Sequence, residues 1–136
     1  MSDSQTCKME VVERLGSLID TARRQVEGFE EAAREFGDDR TINAFDIAET
    51  AGSLAFRKAY LVTIESFVAD VQIGRDTDVA YSTGMSHAYD AGLPQTMNPM
   101  EIAIRNRQQQ GMLAALREIH DLMRRVRLEF DKRDDS

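Results

Sequence analysis

A chain of 136 residues with 42% apolar side chains has the composition of one globular domain with one core, not of a disordered chain. The lone Cys7 excludes an internal disulfide and a multi-cysteine zinc site. A formal charge of −7, from 24 acids against 17 bases, sets the surface against phosphates, so nucleic acid is not an expected partner. Apolar runs are only a few residues long, so no membrane span is expected. Met1 to Thr6 hold neither a basic region nor an apolar stretch, so a signal peptide is not expected and the expected location is cytoplasmic. Only residues 99–136 reverse the charge balance, with eight bases against seven acids.

The first pattern predicts a helix over about 5–36. Leu15, Ala22, Phe29 and Phe36 recur every seven residues, and Val12, Ile19, Val26 and Ala33 form the neighbouring row. Glu13, Asp20, Arg23, Arg24, Glu27, Glu31 and Arg34 make the opposite, solvated face. Gly37 is the expected stop, followed by a turn at Asp38 and Asp39.

A second helix is predicted over about 42–73, capped by Thr41 and stopped by Gly74. Its core row is read as Ile47, Leu54, Leu61 and Val68, with Ile64 and Val71 alongside. Ala44, Ala48, Ala51, Gly52 and Ala55 thin its first half, and Gly52-Ser53 is where it would kink or split.

Residues 77–91 carry a short helix, with Gly92, Leu93 and Pro94 ending it. Asn98-Pro99-Met100-Glu101 then opens the last helix, predicted over 99–130, with Asn as cap and Pro at the first turn. Met112, Leu116, Ile119, Met123, Val126 and Phe130 step by four and three, a seam of coiled-coil type. The run Arg105 to Gln110 has almost nothing apolar to bury, and residues 1–4 and 131–136 are expected to fray.

These elements predict an all-α fold: one domain over 1–136, an antiparallel bundle of three long helices and one short one. A thirty-residue helix is roughly 45 Å long, and its stripes exceed what one small bundle covers, so a homo-oligomer, most simply a homodimer, is expected.

Little chemistry fits the residues. The two histidines, His87 and His120, lack the Glu-x-x-His pairs of a carboxylate-bridged metal site, and no metal or cofactor is expected. Cys7 has no local histidine to activate it, and no nucleophile elbow, phosphate loop or dinucleotide fingerprint occurs, so the chain is not read as an enzyme. Ser86-His87-Ala88-Tyr89-Asp90 brings a hydroxyl, an imidazole and a carboxylate together, an arrangement that also simply anchors a surface segment.

Phe45-Asp46-Ile47-Ala48-Glu49-Thr50-Ala51-Gly52-Ser53 resembles the helix-turn-helix core of TetR-type repressors, and Glu31 to Phe36 is similar to that family's first helix. The resemblance spans about forty residues and departs from the family where a Val would follow the Gly. It implies a turn near Gly52, a recognition helix from Leu54 to Phe67 and a DNA-binding regulator acting through 41–67. That helix offers Arg57 and Lys58 as its bases, and such domains need a basic face.

The leading expectation is a non-enzymatic module for protein–protein interaction, an adaptor or inhibitor that works by presenting surface to a protein partner. One form of it would mimic nucleic-acid phosphates with Glu27, Glu30, Glu31, Glu35, Asp38 and Asp39, blocking a basic partner. An alternative is a binder of a small phosphate ligand such as a nucleotide, with Arg105 and Arg107 near a helix start and Tyr81 and Tyr89 to stack on a base. Tyr81, His87, Tyr89, Arg105 and Arg107 are the candidate binding residues. They surround the longest stretch without strong periodicity, where binding residues concentrate.

Overall fold

A computed structural model describes residues 3–35, 44–91 and 98–134, and every element among them is a helix. They are α1 (Asp3–Glu35), α2 (Ala44–Gln72), α3 (Thr77–Ala91) and α4 (Pro99–Asp134). The expected features at Phe36, Gly37, Asp38, Asp39, Thr41, Gly92, Leu93 and Pro94 lie outside the described residues. The all-α class holds, and no described helix is long and apolar enough to cross a membrane.

Local chemistry explains the ends that are seen. Asn98 caps α4, its side-chain oxygen accepting from the Met100 amide at 2.9 Å, while its carbonyl takes the Ile102 amide at 3.0 Å. Gly74, at φ 103°, ends the α2 segment. The Gly74 amide donates to Val71 and the Arg75 amide to Asp70, both at 3.1 Å, a paired closure that a side chain at position 74 would strain.

Three expectations change. α4 is helical to Asp134, past its expected end at Phe130, which packs against the core while Arg14 of α1 meets Glu129 at 2.5 Å. α1 likewise begins at Asp3 rather than near residue 5. α2 runs unbroken through Gly52 and Ser53, so the turn that the repressor resemblance implies is absent. Its letters have a packing explanation: Gly52 lies under Arg107, whose Nε would meet an added Cβ at 3.4 Å.

The core is a single apolar cluster to which all four helices contribute. Val11, Leu15 and Ala22 come from α1, with Val26 buried apart from the cluster; Tyr60, Ile64, Phe67 and Val71 come from α2; Ala80 and Ala88 from α3. Ala115, Leu116, Ile119, Leu122, Met123 and Val126 come from α4, as its seam predicts. On α2 the buried row lies next to the expected one: Leu61 and Val68 only flank it, and Ile47 is half exposed.

Side-chain contacts fix the register of neighbours. Along α1 and α2, Arg23 meets Glu65 at 3.0 Å and Glu30 meets Lys58 at 3.3 Å, so rising numbers face falling ones. The same reversal joins α3 to α4, from Asp78 with Arg127 at 2.8 Å to the Ala88 carbonyl with Gln109 at 3.2 Å. α2 and α4 make the most extensive contact, and there Gly52 and Phe56 face Arg107 and Gly111 with numbers rising together.

At that crossing backbone meets backbone. A Cβ on Gly111 would fall against the Phe56 carbonyl and stand 3.2 Å from its Cα. Helix propensity favours Ala over Gly by about 1 kcal/mol, but forcing a methyl into a filled contact costs about 1–3 kcal/mol. Gly111→Ala is therefore expected to destabilise in chemical denaturation, while Gly28→Ala, with nothing within 4 Å of its added methyl, gains up to about 1 kcal/mol. Leu116, 1% exposed, should cost about 2–5 kcal/mol as Leu116→Ala in the same measurement.

Candidate interaction surface

Each long helix has a side turned away from the core, and the three sides differ in kind. On α1 that side is charged, with Glu13, Asp20, Arg24, Glu27 and Glu31 exposed. On α4 it is charged too, with Arg117, Glu118, Asp121, Arg124 and Arg125 exposed. On α2 it reads Ala51, Ala55, Lys58, Val62, Ser66, Ala69 and Ile73, with Lys58 as the one charge in seven positions. These positions lie opposite the buried row Tyr60, Ile64, Phe67 and Val71 at 3.6 residues per turn. Val62 is 59% exposed and Ile73 74%. A helix with apolar residues on two opposite sides normally packs on both, and α2 is buried on one only.

Two hollows flank this row. Towards α3, a cleft of about 340 Å³ is floored by Phe67, Ala80, Met112 and Leu116 and edged by Val62, Ser66, Thr83 and His87. Gly84 lets α3 settle onto α4, since a Cβ there would strike Leu116 at 2.7 Å. The hydroxyls of Thr63 and Thr83 are turned inward, donating to the Ala59 and Val79 carbonyls at 2.8 and 3.0 Å. Towards α1, a wider hollow of about 650 Å³ is lined by Met9, Val12, Val71 and Gly74. Apolar Met9, about half exposed, stands on its α1 side.

The five residues picked from the sequence do not form one pocket. Tyr81 rests against His120, ring centroids 5.6 Å apart. Arg107 lies over the Phe56 ring at 5.4 Å and donates to Gln110 at 3.3 Å. His120 and Arg107 are thirteen residues apart on α4, about 20 Å, so Tyr81 cannot stack on a base held by Arg107. Arg105 lines a separate shallow depression with Asn98 and Glu101. Tyr89 is exposed, and His87 edges the α2–α3 cleft. The polar run of α4 thus has packing work after all: Arg107 covers Phe56, and Gln109 ties α4 to the end of α3.

The acidic row of α1 is also partly engaged. Glu30 faces Lys58 at 3.3 Å and Arg34 at 3.9 Å, while Glu27, Glu31 and Glu35 remain exposed. Asp38 and Asp39 lie outside the described residues. Among the described residues no three His, Cys, Asp or Glu side chains gather to hold a metal ion. Burial pushes the Cys7 thiol up, with Arg127 acting against it, so the thiolate needed for nucleophilic chemistry is disfavoured. The residues that sequence reasoning missed are Val62, Ser66 and Ala69. A count of charges on each α2 row would have found them.

Comparison with known protein families, curated proteins and solved structures finds no match to this chain.

Burial also raises the Tyr60 phenol, with Glu118 adding to it. Both groups have folded values above their ordinary ones, 9.0 for the thiol and 10.0 for the phenol. Their contribution to stability is whole below those values and is lost as pH rises through the folded ones, because the unfolded chain releases its protons first. Thermal melts should therefore show a Tm that declines above about pH 9, with a shallower decline in Tyr60→Phe; equal slopes would assign the loss to other groups.

Proposed function

We propose that this chain is a non-enzymatic helical interaction module: an antiparallel, up-down-up-down bundle that presents the outer face of α2 to another protein's helix. The observation that carries this reading is the outward row of α2, with Lys58 as its single charge, beside outward rows on α1 and α4 that are densely charged. A solvated helix face in a chain with 30% charged residues gains nothing from leaving six of seven positions in a row uncharged; a packed face does. The flanking hollows support the same reading, because a ridge between two grooves is the shape that another helical surface interlocks with. Such a module acts by occupying or joining partners, consistent with the dispersal of Tyr81, His87, Tyr89, Arg105 and Arg107 over separate parts of the surface. A homodimer belongs to this proposal as its simplest form.

Thiol protection tests the reading. Ser66→Cys, placed in a Cys7→Ser background, is expected to react with a membrane-permeant maleimide at least about tenfold more slowly in cells than the control Arg24→Cys on the charged side of α1. Equal rates in cells and with the purified protein at high concentration would remove α2 as an interaction face.

A further inference from the structure

We infer that the occupant of the α2 face is a second copy of this chain, docked about a twofold axis at Val62, with the two α2 helices running in opposite directions. The inference rests on the reading of α2 as an interaction face. It goes beyond that reading by naming the partner, the symmetry and the register.

Symmetry demands a surface that complements itself: under a twofold axis, residue i facing residue j requires j to face i. The outward row runs from Ala51 to Ile73, and Val62 stands at its midpoint. Turned about Val62, Ile73 meets Ala51 of the second copy and Ala69 meets Ala55, while Val62 meets itself. Each large side chain off the axis is thus opposite a small one, which is what close helix packing requires.

Charge repeats the pattern. Lys58 and Glu65 stand one heptad apart on the α1 side of the row, with Val62 between them. Inversion of direction about Val62 places Lys58 of one copy beside Glu65 of the other, twice per dimer. Within one chain each already has an outward-reaching partner, Glu30 at 3.3 Å and Arg23 at 3.0 Å, so the docked pair would sit in a four-charge cluster of balanced sign on each copy. Opposite charges at such flanking positions set partner choice and orientation in helix pairs. Two copies that each carry −7 repel in general, and this strip, where two acids are balanced by two bases, is where that repulsion is least.

The area is sufficient. The row spans about 22 residues, or about 33 Å, and with half the width of α1 and α3 beside it the strip is about 20 Å wide. That gives roughly 660 Å² per copy and about 1,300 Å² in total, above the roughly 1,000 Å² that a specific interface needs. Met9, which lines the hollow shared with Val71, adds apolar contact at one edge.

A residue on a twofold axis meets its own copy, which gives a direct test. Val62→Cys in the Cys7→Ser background should be converted under mild oxidation into a disulfide-linked dimer, while Ile73→Cys, off the axis, should give at least about tenfold less. In sedimentation equilibrium at tens of micromolar, the unmodified chain should run at twice its 15.4 kDa. Lys58→Glu and Glu65→Lys should each weaken association about tenfold or more, and the double reversal should recover it to within about threefold. Val62→Arg, which touches no intramolecular ion pair, should give a folded monomer and so guards against reversals that disturb α1. A 15.4 kDa species at all concentrations, with Ser66→Cys still protected in cells, overturns the second copy and leaves the interaction face standing. Loss of that protection as well overturns both. A dimer that links through Ile73→Cys as readily as through Val62→Cys, or reversals that do not compensate, overturns the Val62 axis.

Discussion

The contact of Gly111 with the Phe56 carbonyl decides how this molecule is put together. It brings the axes of α2 and α4 to backbone distance, and no other helix pair makes so extensive a contact. Once that crossing is set, Phe67 and Val71 of α2 and Leu116 and Ile119 of α4 fall into one core. α1 then packs mainly on α2, and α3 mainly on α4. Arg107 closes over Phe56 at the same crossing, so a polar residue seals what a glycine opened. Helix propensity alone would never select Gly at that position.

The same crossing turns one side of α2 inward and leaves the other outward. A helix with apolar residues on two opposite sides has no intrinsic preference for which side it buries. Here α4 takes the side of Tyr60, Ile64 and Phe67, and the row through Val62, Ser66 and Ala69 is left over. The interaction face is thus the remainder of a packing choice made elsewhere. Its grooves arise similarly, since α3 is drawn down onto Leu116 at Gly84 and stands back from α2.

Where one face of a helix is charged and the other apolar, the sequence is explicit. The second half of α4 was legible from Leu116, Ile119, Met123 and Val126, and α1 from Leu15, Ala22 and Val26, although Val11, outside both expected rows, is buried and Ala33, inside one, is exposed. The caps were equally legible, because Asn98 and Gly74 act through short, local geometry. α2 was not. The seven-residue row Ile47, Leu54, Leu61 and Val68 is the more apolar in sequence, yet α4 covers the row of Ile64 and Val71, which also carries Thr50 and Arg57. The dispersal of the candidate binding residues was hidden for a related reason. Sequence proximity groups Tyr89 with Arg105 and Arg107, but helix geometry separates Tyr81 from Arg107 by about 20 Å along α4.

α1 is held differently from the other long helices. Arg14 reaches Glu129 of α4, Arg23 reaches Glu65 of α2, and Glu30 reaches Lys58 of α2, so its exposed edges are fastened along much of its length by ions. Such contacts weaken together as the screening length shrinks from about 10 Å at 0.1 M salt to about 3 Å at 1 M. The α2–α4 crossing, made of backbone and apolar atoms, has no comparable sensitivity. Ionic strength therefore acts on one helix selectively: in concentrated salt the amides of α1 exchange with solvent ahead of those at the Gly111 crossing, and the molecule loosens from its first helix inward.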